Sequence, residues 1–297
     1  MQEIGISAVV GLSPMAQPVA PAQSKYERLI QKAKEVPAAT TVVVHPCDES
    51  SLRGAVEAAE AGIIIPILVG PQAKIAAVAR EHSLDIERYS IVDVPHSDQA
   101  AARGVELIRE SKGELVMKGS LHTDELMRQV TSGTTGLRTG RRISHVFIMD
   151  VPTYPESLFI TDAAINIFPD LDTKRDIIQN AVDLFTQVGL GRPRVAILSA
   201  VETVTSKIPS TIEAAALCKM ADRGQITGAD LDGPLAFDNA IDPEAARIKG
   251  IVSAVAAERR SWWCPILRPA TCLRRTSRSW RRPTRPASCS ARGFRSS

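Results

Sequence analysis

Apolar and polar positions along the chain alternate between two periodicities. In KYERLIQKAKEV (25–36), Leu29, Ile30, Ala33 and Val36 recur at helical spacing and predict an amphipathic helix. TTVVVHP (40–46) is a short β-branched run closed by proline, as expected of a strand buried on both faces. The alternation then repeats. Helix SLRGAVEAAEAG (51–62) has Asp48 or Ser50 as its cap and Gly62 as its stop. A strand is expected over 63–71, a helix over 72–84, a strand over 89–95 and a capped helix over 97–111. ELVMKGS (114–120) predicts a strand and HTDELMRQV opens another helix. Segments 144–152 and 157–164 predict adjacent strands joined by a proline-bearing turn. Helix 172–189, strand 194–202, helix 210–224 and strand ITGADLDG follow, and a helix restarts after Asp242. Short strand–helix units of this kind predict an α/β fold, with parallel-rich sheets and helices on both faces.

Composition narrows the class. The 297 residues are 44% hydrophobic and 23% charged, enough for one large or two medium domains with a real core. No apolar run approaches the ~20 residues of a membrane span. Glycine and proline totals exclude collagen-like and wholly disordered classes. The five cysteines lack the spacing of a disulfide framework or a zinc site, so a cytoplasmic location is expected. Residues 1–24 are small, apolar and proline-bearing, with Glu3 as their single charge. A signal peptide needs a basic start, so a flexible N-terminal arm is expected instead.

Charge changes the picture. Residues 258–297 carry eleven arginines against one acid, Glu258, a net of +10. The first 257 residues hold 25 basic and 32 acidic side chains, a net of −7. Trp262, Trp263 and Trp280 and three of the five cysteines also fall in that tail. Such asymmetry points either to a nucleic-acid-binding arm, with arginines on phosphates and tryptophans on bases, or to a segment of different origin.

In parallel sheets, ligands bind beyond the carboxyl ends of strands. After strand 114–118 come Lys118, Ser120 and, one helical turn in, Arg128, able to hold a phosphate at a helix start. The same residues also suit a capped helix with solvated charges. SGTTGLRTGRR (132–142) is glycine-rich and basic, with Arg138, Arg141 and Arg142, but lacks Walker and G-x-G-x-x-G spacing. Asp162 and Asn166 stand at one strand end, and Asp232, Asp238 and Asn239 at another, as caps or as ligands. Cys47 and Cys218 read as packing residues, and the five histidines (among them His45 and His145) show no metal-ligand spacing, so no metal is expected.

Taken together, LVMKGSLHTDELMRQV, GLRTGRRISHVFIMDVPTYP, LFITDAAINIFPDL, ILSAVETV, STIEAAALCKMADRGQI and LDGPLAFDNAI resemble the phosphate acetyltransferase and phosphate butyryltransferase family, over about Lys25 to Val255. The resemblance implies a two-domain fold like that of isocitrate and isopropylmalate dehydrogenases. Here the domains would be 25–150 and 151–257. It implies a homodimer that catalyses acyl-CoA + phosphate ⇌ acyl phosphate + CoA without metal, with coenzyme A as substrate. A family aspartate is thought to take the CoA thiol proton, while arginine and serine stabilise developing charge. The resemblance implicates Arg128 in the CoA or phosphate site, sets Ser144 at the start of the strand bordering the acyl phosphate site, and finds Arg141, Arg142, Asp162, Asn166 and Asp232 in shared motifs; with Lys118 and Ser120 from the strand-end reading, these are the candidate substrate or CoA contacts. A dehydrogenase of the same fold class is the second enzyme reading.

After KGIVSAVA the chain leaves the family pattern. Relatives continue with strings of type ADILVVPDLEAGNML and LAEADAAGIVLGARVPII, then a catalytic LTSRADS. Here the sequence reads ERRSWWCPILRPATC and ends WRRPTRPASCSARGFRSS. Codons built from the last base of one residue and the first two of the next recover the family string. Tryptophan is always TGG, so Trp262-Trp263 and Trp263-Cys264 both decode as valine, and the run to Leu273 can yield LVVPDLEAGNML. Residues 258–297 are therefore expected to be frameshift-derived, disordered and without the Ser-Arg-x-Asp segment. Transacylase activity is expected to be impaired, and a nucleic-acid role is weighed against.

Overall fold

The computed structural model describes residues 25–151, 154, 156–162, 164–253, 255–256 and the backbone of 262–264. The N-terminal arm and most of the basic tail expected from sequence lie outside these residues.

After helix α1 (Lys25–Lys34), four βα units build the first sheet. They comprise β1 (Ala39–Val44), α2 (Glu49–Glu60), β2 (Ile64–Gly70), α3 (Gln72–Glu81), β3 (Ser90–Asp93), α4 (Ser97–Arg109), β4 (Leu115–Lys118) and α5 (Thr123–Val130). All pairings are parallel, in the order β3-β2-β1-β4. Asp48 is the cap that starts α2: its carboxylate accepts the Ser51 N–H at 2.8 Å. Positive φ at Gly62 lets the chain turn from α2 into β2.

The strand buried on both faces that the sequence predicts is seen in β1. Val42 and Val44 face α4 and α5, packing with Val69, Ala100, Ala101, Leu107 and Leu126. Val43 faces the other way, into Leu52, Ala55, Leu68, Ile75 and Ala79. Each fully buried aliphatic side chain of this kind contributes roughly 1.5–3 kcal/mol. The central strand is therefore anchored on both faces.

The second half begins with the antiparallel pair β5 (Phe147–Met149) and β6 (Leu158–Ile160). Both are shorter than 144–152 and 157–164. Ser144 accepts an Asn180 amide hydrogen and the His145 carbonyl accepts the Thr161 hydroxyl, so these residues leave the ladder for tertiary bonds. Helix α6 (Leu171–Gln187), β7 (Arg194–Leu198), α7 (Pro209–Asp222), β8 (Asp230–Leu235), α8 (Phe237–Ile241) and α9 (Pro243–Ile248) follow. Val195 and Ile197 of β7 pack on Ile177, Ile178, Ala214 and Leu217 of α6 and α7. Ala196 and Leu198 face Leu158, Leu235, Ala240 and Ala246.

Among the described residues, the tail departs from the disorder expected of it. Residues 262–264 form β9 (Trp262–Cys264), parallel to β7 with Val195 opposite Trp262, and the sheet order is β8-β7-β9. A second correction concerns α1, where none of the predicted apolar stripe is buried and Val36 is 61% exposed. The helix is held instead by its first residue. Lys25 donates to the Val151 and Tyr154 carbonyls and pairs with Asp150 at 3.0 Å.

Candidate functional site

Strand order in the first sheet reverses between β1 and β4, where open α/β sheets form a crevice at their carboxyl edge. The residues leaving both strands are bonded together there. Gly119 N–H donates to the Val44 carbonyl and Ser120 N–H to the His45 carbonyl, both at 2.8 Å. The Ser120 hydroxyl also meets the His45 carbonyl at 2.9 Å, and its oxygen accepts the Cys47 N–H at 3.1 Å. A Cβ on Gly119 would stand 2.4 Å from the His45 carbonyl oxygen, so the close approach of the two strand ends requires glycine.

Lys118 ends β4, with its Nζ 3.3 Å from the Gly119 carbonyl. His122 precedes α5 without capping it through its side chain, which leaves the first helix N–H groups without a side-chain acceptor. Arg128 lies in the last turn of α5, further along the helix than the one turn expected from sequence. Its side chain is 72% exposed, and Asp124 approaches only to 3.8 Å. An exposed pair at that distance contributes little, so the guanidinium is available to an anionic ligand. The helix start and Lys118 beside it suit a phosphate. Burial pushes the Cys47 thiol up, outweighing nearby Lys74, so it stays a protonated thiol. A hollow of about 560 Å³ at the start of α2 is lined by Asp48, Glu49, Ser50 and Arg53. Arg53 is already paired with Glu49 at 2.9 Å, which leaves an acidic hollow unsuited to an anion.

The remaining candidates gather elsewhere. Arg141 pairs with Asp183 at 2.5 Å and donates to Asn180 at 3.3 Å. Arg142 donates its backbone N–H to Asp176 and accepts from Asn180, which also donates to the Ser144 hydroxyl at 2.9 Å. One face of α6 thus holds the whole 141–144 segment. Asn166 reaches the same segment through the Ile143 carbonyl at 3.0 Å. The Asp162 carboxylate, 9% exposed, accepts the N–H groups of Ala164, Ile165 and Asn166 together with the Asn166 amide. It closes a turn with every lone pair engaged. Asp232 lies within β8, opposite Ala196, and accepts the Gly233 N–H at 2.8 Å.

Two features carried no sequence signal. His45, beyond its place after a buried strand, gave no hint of its bond to Ser120. Glu202, after β7, accepts from buried Asn239 and from Lys249 at 2.8 Å. Among the described residues no cluster of three His, Cys, Asp or Glu could hold a metal, and no helix is long and apolar enough to cross a membrane.

A family model described as phosphate acetyl/butaryl transferase matches residues 95–259. A phosphate acetyltransferase of Rhizobium meliloti is 68% identical over 254 residues, covering 85% of this chain and 80% of that protein. A phosphate butyryltransferase of Clostridium acetobutylicum is 37% identical over 251 residues, covering 84% and 83%. Among solved structures, a phosphotransacetylase from Streptococcus pyogenes aligns with TM-score 0.69 at 21% identity, over 85% of this chain and 86% of that one. A branched-chain phosphotransacylase from Enterococcus faecalis V583 aligns with TM-score 0.65 at 24% identity, over 81% and 84%.

Proposed function

Because this chain belongs to the phosphate acetyltransferase and phosphate butyryltransferase family of acyltransferases, we propose that the β1–β4 crevice binds coenzyme A and phosphate for the reaction acyl-CoA + phosphate ⇌ acyl phosphate + CoA. The observation that carries the assignment is Lys118 beside the N-terminus of α5, which has no side-chain cap, at the switch point, with exposed Arg128 in the last turn of the same helix, inside the matched residues. Arg128 and Lys118 take the CoA or phosphate anion. Ser120 acts from beneath, because its hydroxyl is engaged by His45 and Cys47. Arg141, Arg142 and Ser144 form a second wall, fixed by α6, which meets the acyl phosphate. Asp162 and Asn166 shape that wall, and Asp232 belongs to the sheet behind it.

The architecture supports a two-domain reading of the isocitrate dehydrogenase type. Strands β1–β4 come from residues 39–118 and β5–β9 from 147–264. Ile143, Phe147, Ile148, Met149, Ile167 and Phe168 are exposed together around β5, a surface suited to the homodimer expected of the family. The family match ends at residue 259, where the arginine-rich tail begins. A shifted reading frame accounts for that tail and lowers activity through loss of the family's Ser-Arg-x-Asp string. A cytoplasmic site of action follows from the substrates.

Isothermal titration with coenzyme A, on this chain and on Arg128→Ala, tests the assignment. Binding weakened about tenfold or more by the substitution supports it, and binding unchanged by the substitution moves the site elsewhere. Acyl phosphate formation is then compared between this chain and one with the shifted frame restored over 258–297. Equal turnover would overturn the impairment.

A further inference from the structure

Ten lysines are spread along the chain. Six of them are held by carboxylates at 2.5–3.0 Å, among them Lys174 by Glu213 and Lys249 by Glu202. An ammonium held in this way keeps its proton, so it offers no lone pair to an electrophile. The Glu202 hydrogen bond, for instance, pushes Lys249 up, away from the free amine.

Lys118 is placed differently. Among the described residues no carboxylate pairs with it, although Asp124 and Glu125 stand in the first turn of the helix that follows. Its Nζ has one contact, the Gly119 carbonyl at 3.3 Å. Lys34, Lys74 and Lys207 also lack a carboxylate partner among the described residues, but they lie on α1, on α3 and in the loop before α7. Lys118 alone leaves the first sheet at its switch point. Its backbone is fixed there. It stands opposite Val44, the last residue of β1, and the following N–H donates to the Val44 carbonyl at 2.8 Å. The side chain is exposed, so the mount is rigid and the amine is free to turn towards a ligand.

Resting on the acyl phosphate reading above, we propose that Lys118 is a self-acylation site, whose amine takes the acyl group from acyl phosphate held at this edge. An acyl phosphate is a mixed anhydride, and amines attack its carbonyl carbon. An amine in contact with a phosphoryl oxygen is held about 3–3.5 Å from the acyl carbon, the separation of a near-attack arrangement. The ammonium first gives one proton to water. The nitrogen lone pair then forms the N–C bond, and the C–O bond to phosphate breaks with its electron pair. The surplus proton on nitrogen passes to the departing oxygen, leaving hydrogen phosphate and a secondary amide. Acylated Lys118 has lost its charge and no longer attracts a phosphate. Acyl phosphate thus closes the edge that binds it, a brake that tightens as the product accumulates.

The test incubates the full chain with acetyl phosphate, with and without saturating inorganic phosphate, and follows each lysine by mass spectrometry of its peptide. Lys34 and Lys207, both exposed, serve as internal references. Lys118 is expected to be acetylated about tenfold or more faster than either, and inorganic phosphate to slow Lys118 alone. Calorimetry before and after treatment is expected to show coenzyme A affinity falling with the acetylated fraction. In Lys118→Arg, which keeps the charge and offers no amine, the same treatment is expected to leave affinity where it was. Equal rates at the three lysines, or a Lys118 rate that phosphate does not slow, overturns the self-acylation while untreated chain that binds coenzyme A leaves the coenzyme A reading intact. An equal loss of affinity in treated Lys118→Arg moves the brake to another group and overturns it. Failure of the untreated chain to bind coenzyme A overturns both.

Discussion

Asp162 and Asn166 are joined twice. The Asp162 carboxylate accepts the Asn166 backbone N–H at 3.1 Å and its side-chain amide at 2.6 Å. Two further backbone donors, from Ala164 and Ile165, complete the carboxylate's partners. The turn after β6 is thus built around one nearly buried anion, and Asn166 passes the constraint on to the Ile143 carbonyl.

Asp162→Ala is expected to destabilise the fold by about 1–3 kcal/mol, because several part-buried N–H groups lose a charged acceptor at once. Asp162→Asn, which retains acceptor capacity on one oxygen, is expected to cost roughly half as much. Urea unfolding followed by circular dichroism measures both. Full stability in the alanine variant would mean that the carboxylate serves a ligand rather than the turn.

Lys174 and Glu213 tie α6 to α7 at 2.5 Å, with the lysine side chain only 11% exposed. Removing one partner strands a charge, so Lys174→Met alone is expected to cost about 3 kcal/mol. The double change Lys174→Met with Glu213→Leu is expected to recover most of that loss. A double-mutant cycle of unfolding free energies decides, and additive losses would contradict a coupled pair.

Gly119→Ala is expected to destabilise by about 1–3 kcal/mol, since the new methyl meets the His45 carbonyl rather than a movable side chain. It also separates the ends of β1 and β4, so coenzyme A affinity is expected to fall with stability. A shift in thermal midpoint without any change in affinity would place the ligand away from this edge.

Glu202 sits below the ordinary carboxylate range. Burial pushes it up, but the Lys249 hydrogen bond, its own backbone, the Lys249 charge and Asn239 outweigh that and pull it down. A lowered folded value contributes stability above the unfolded value of about 4.3, lost as pH falls through the folded value. Glu202→Gln is expected to flatten the acid limb of the stability curve below about pH 4.3. Unfolding midpoints between neutral and acid pH give the slope, and parallel curves for the two proteins would refute it.

Cys218 is pushed up to about 12, first by burial and then by Asp232 and Asp222. A thiol held protonated is a poor nucleophile. Alkylation of Cys218 by iodoacetamide in the folded protein at neutral pH is expected to be far slower than in urea, read by mass spectrometry of the peptide. Equal rates would show an accessible thiolate.

The sequence alone determined the alternation of β-branched runs with amphipathic segments, and with it the parallel βα architecture. Those signals are local: a strand buried on both faces must read as continuous apolar residues, as Val42–Val44 do. It also carried the family strings, the basic residues of the 118–128 edge and the point near residue 258 where the pattern changes. Tertiary structure decided what those residues do. Asp162, which the sequence left open as cap or ligand, accepts four donors from Ala164, Ile165 and Asn166. Arg141 and Ser144 are bound to α6 by side chains some forty positions away. The α1 stripe is half exposed, since Lys25 rather than its apolar face anchors the helix. His45 meets Ser120 only because β4 pairs with β1, which places Ser120 beside it, 75 positions along the chain. Periodicity reports which face of an element is apolar. Where the partner of a polar group lies far along the chain, long-range packing sets it, and no local pattern encodes that.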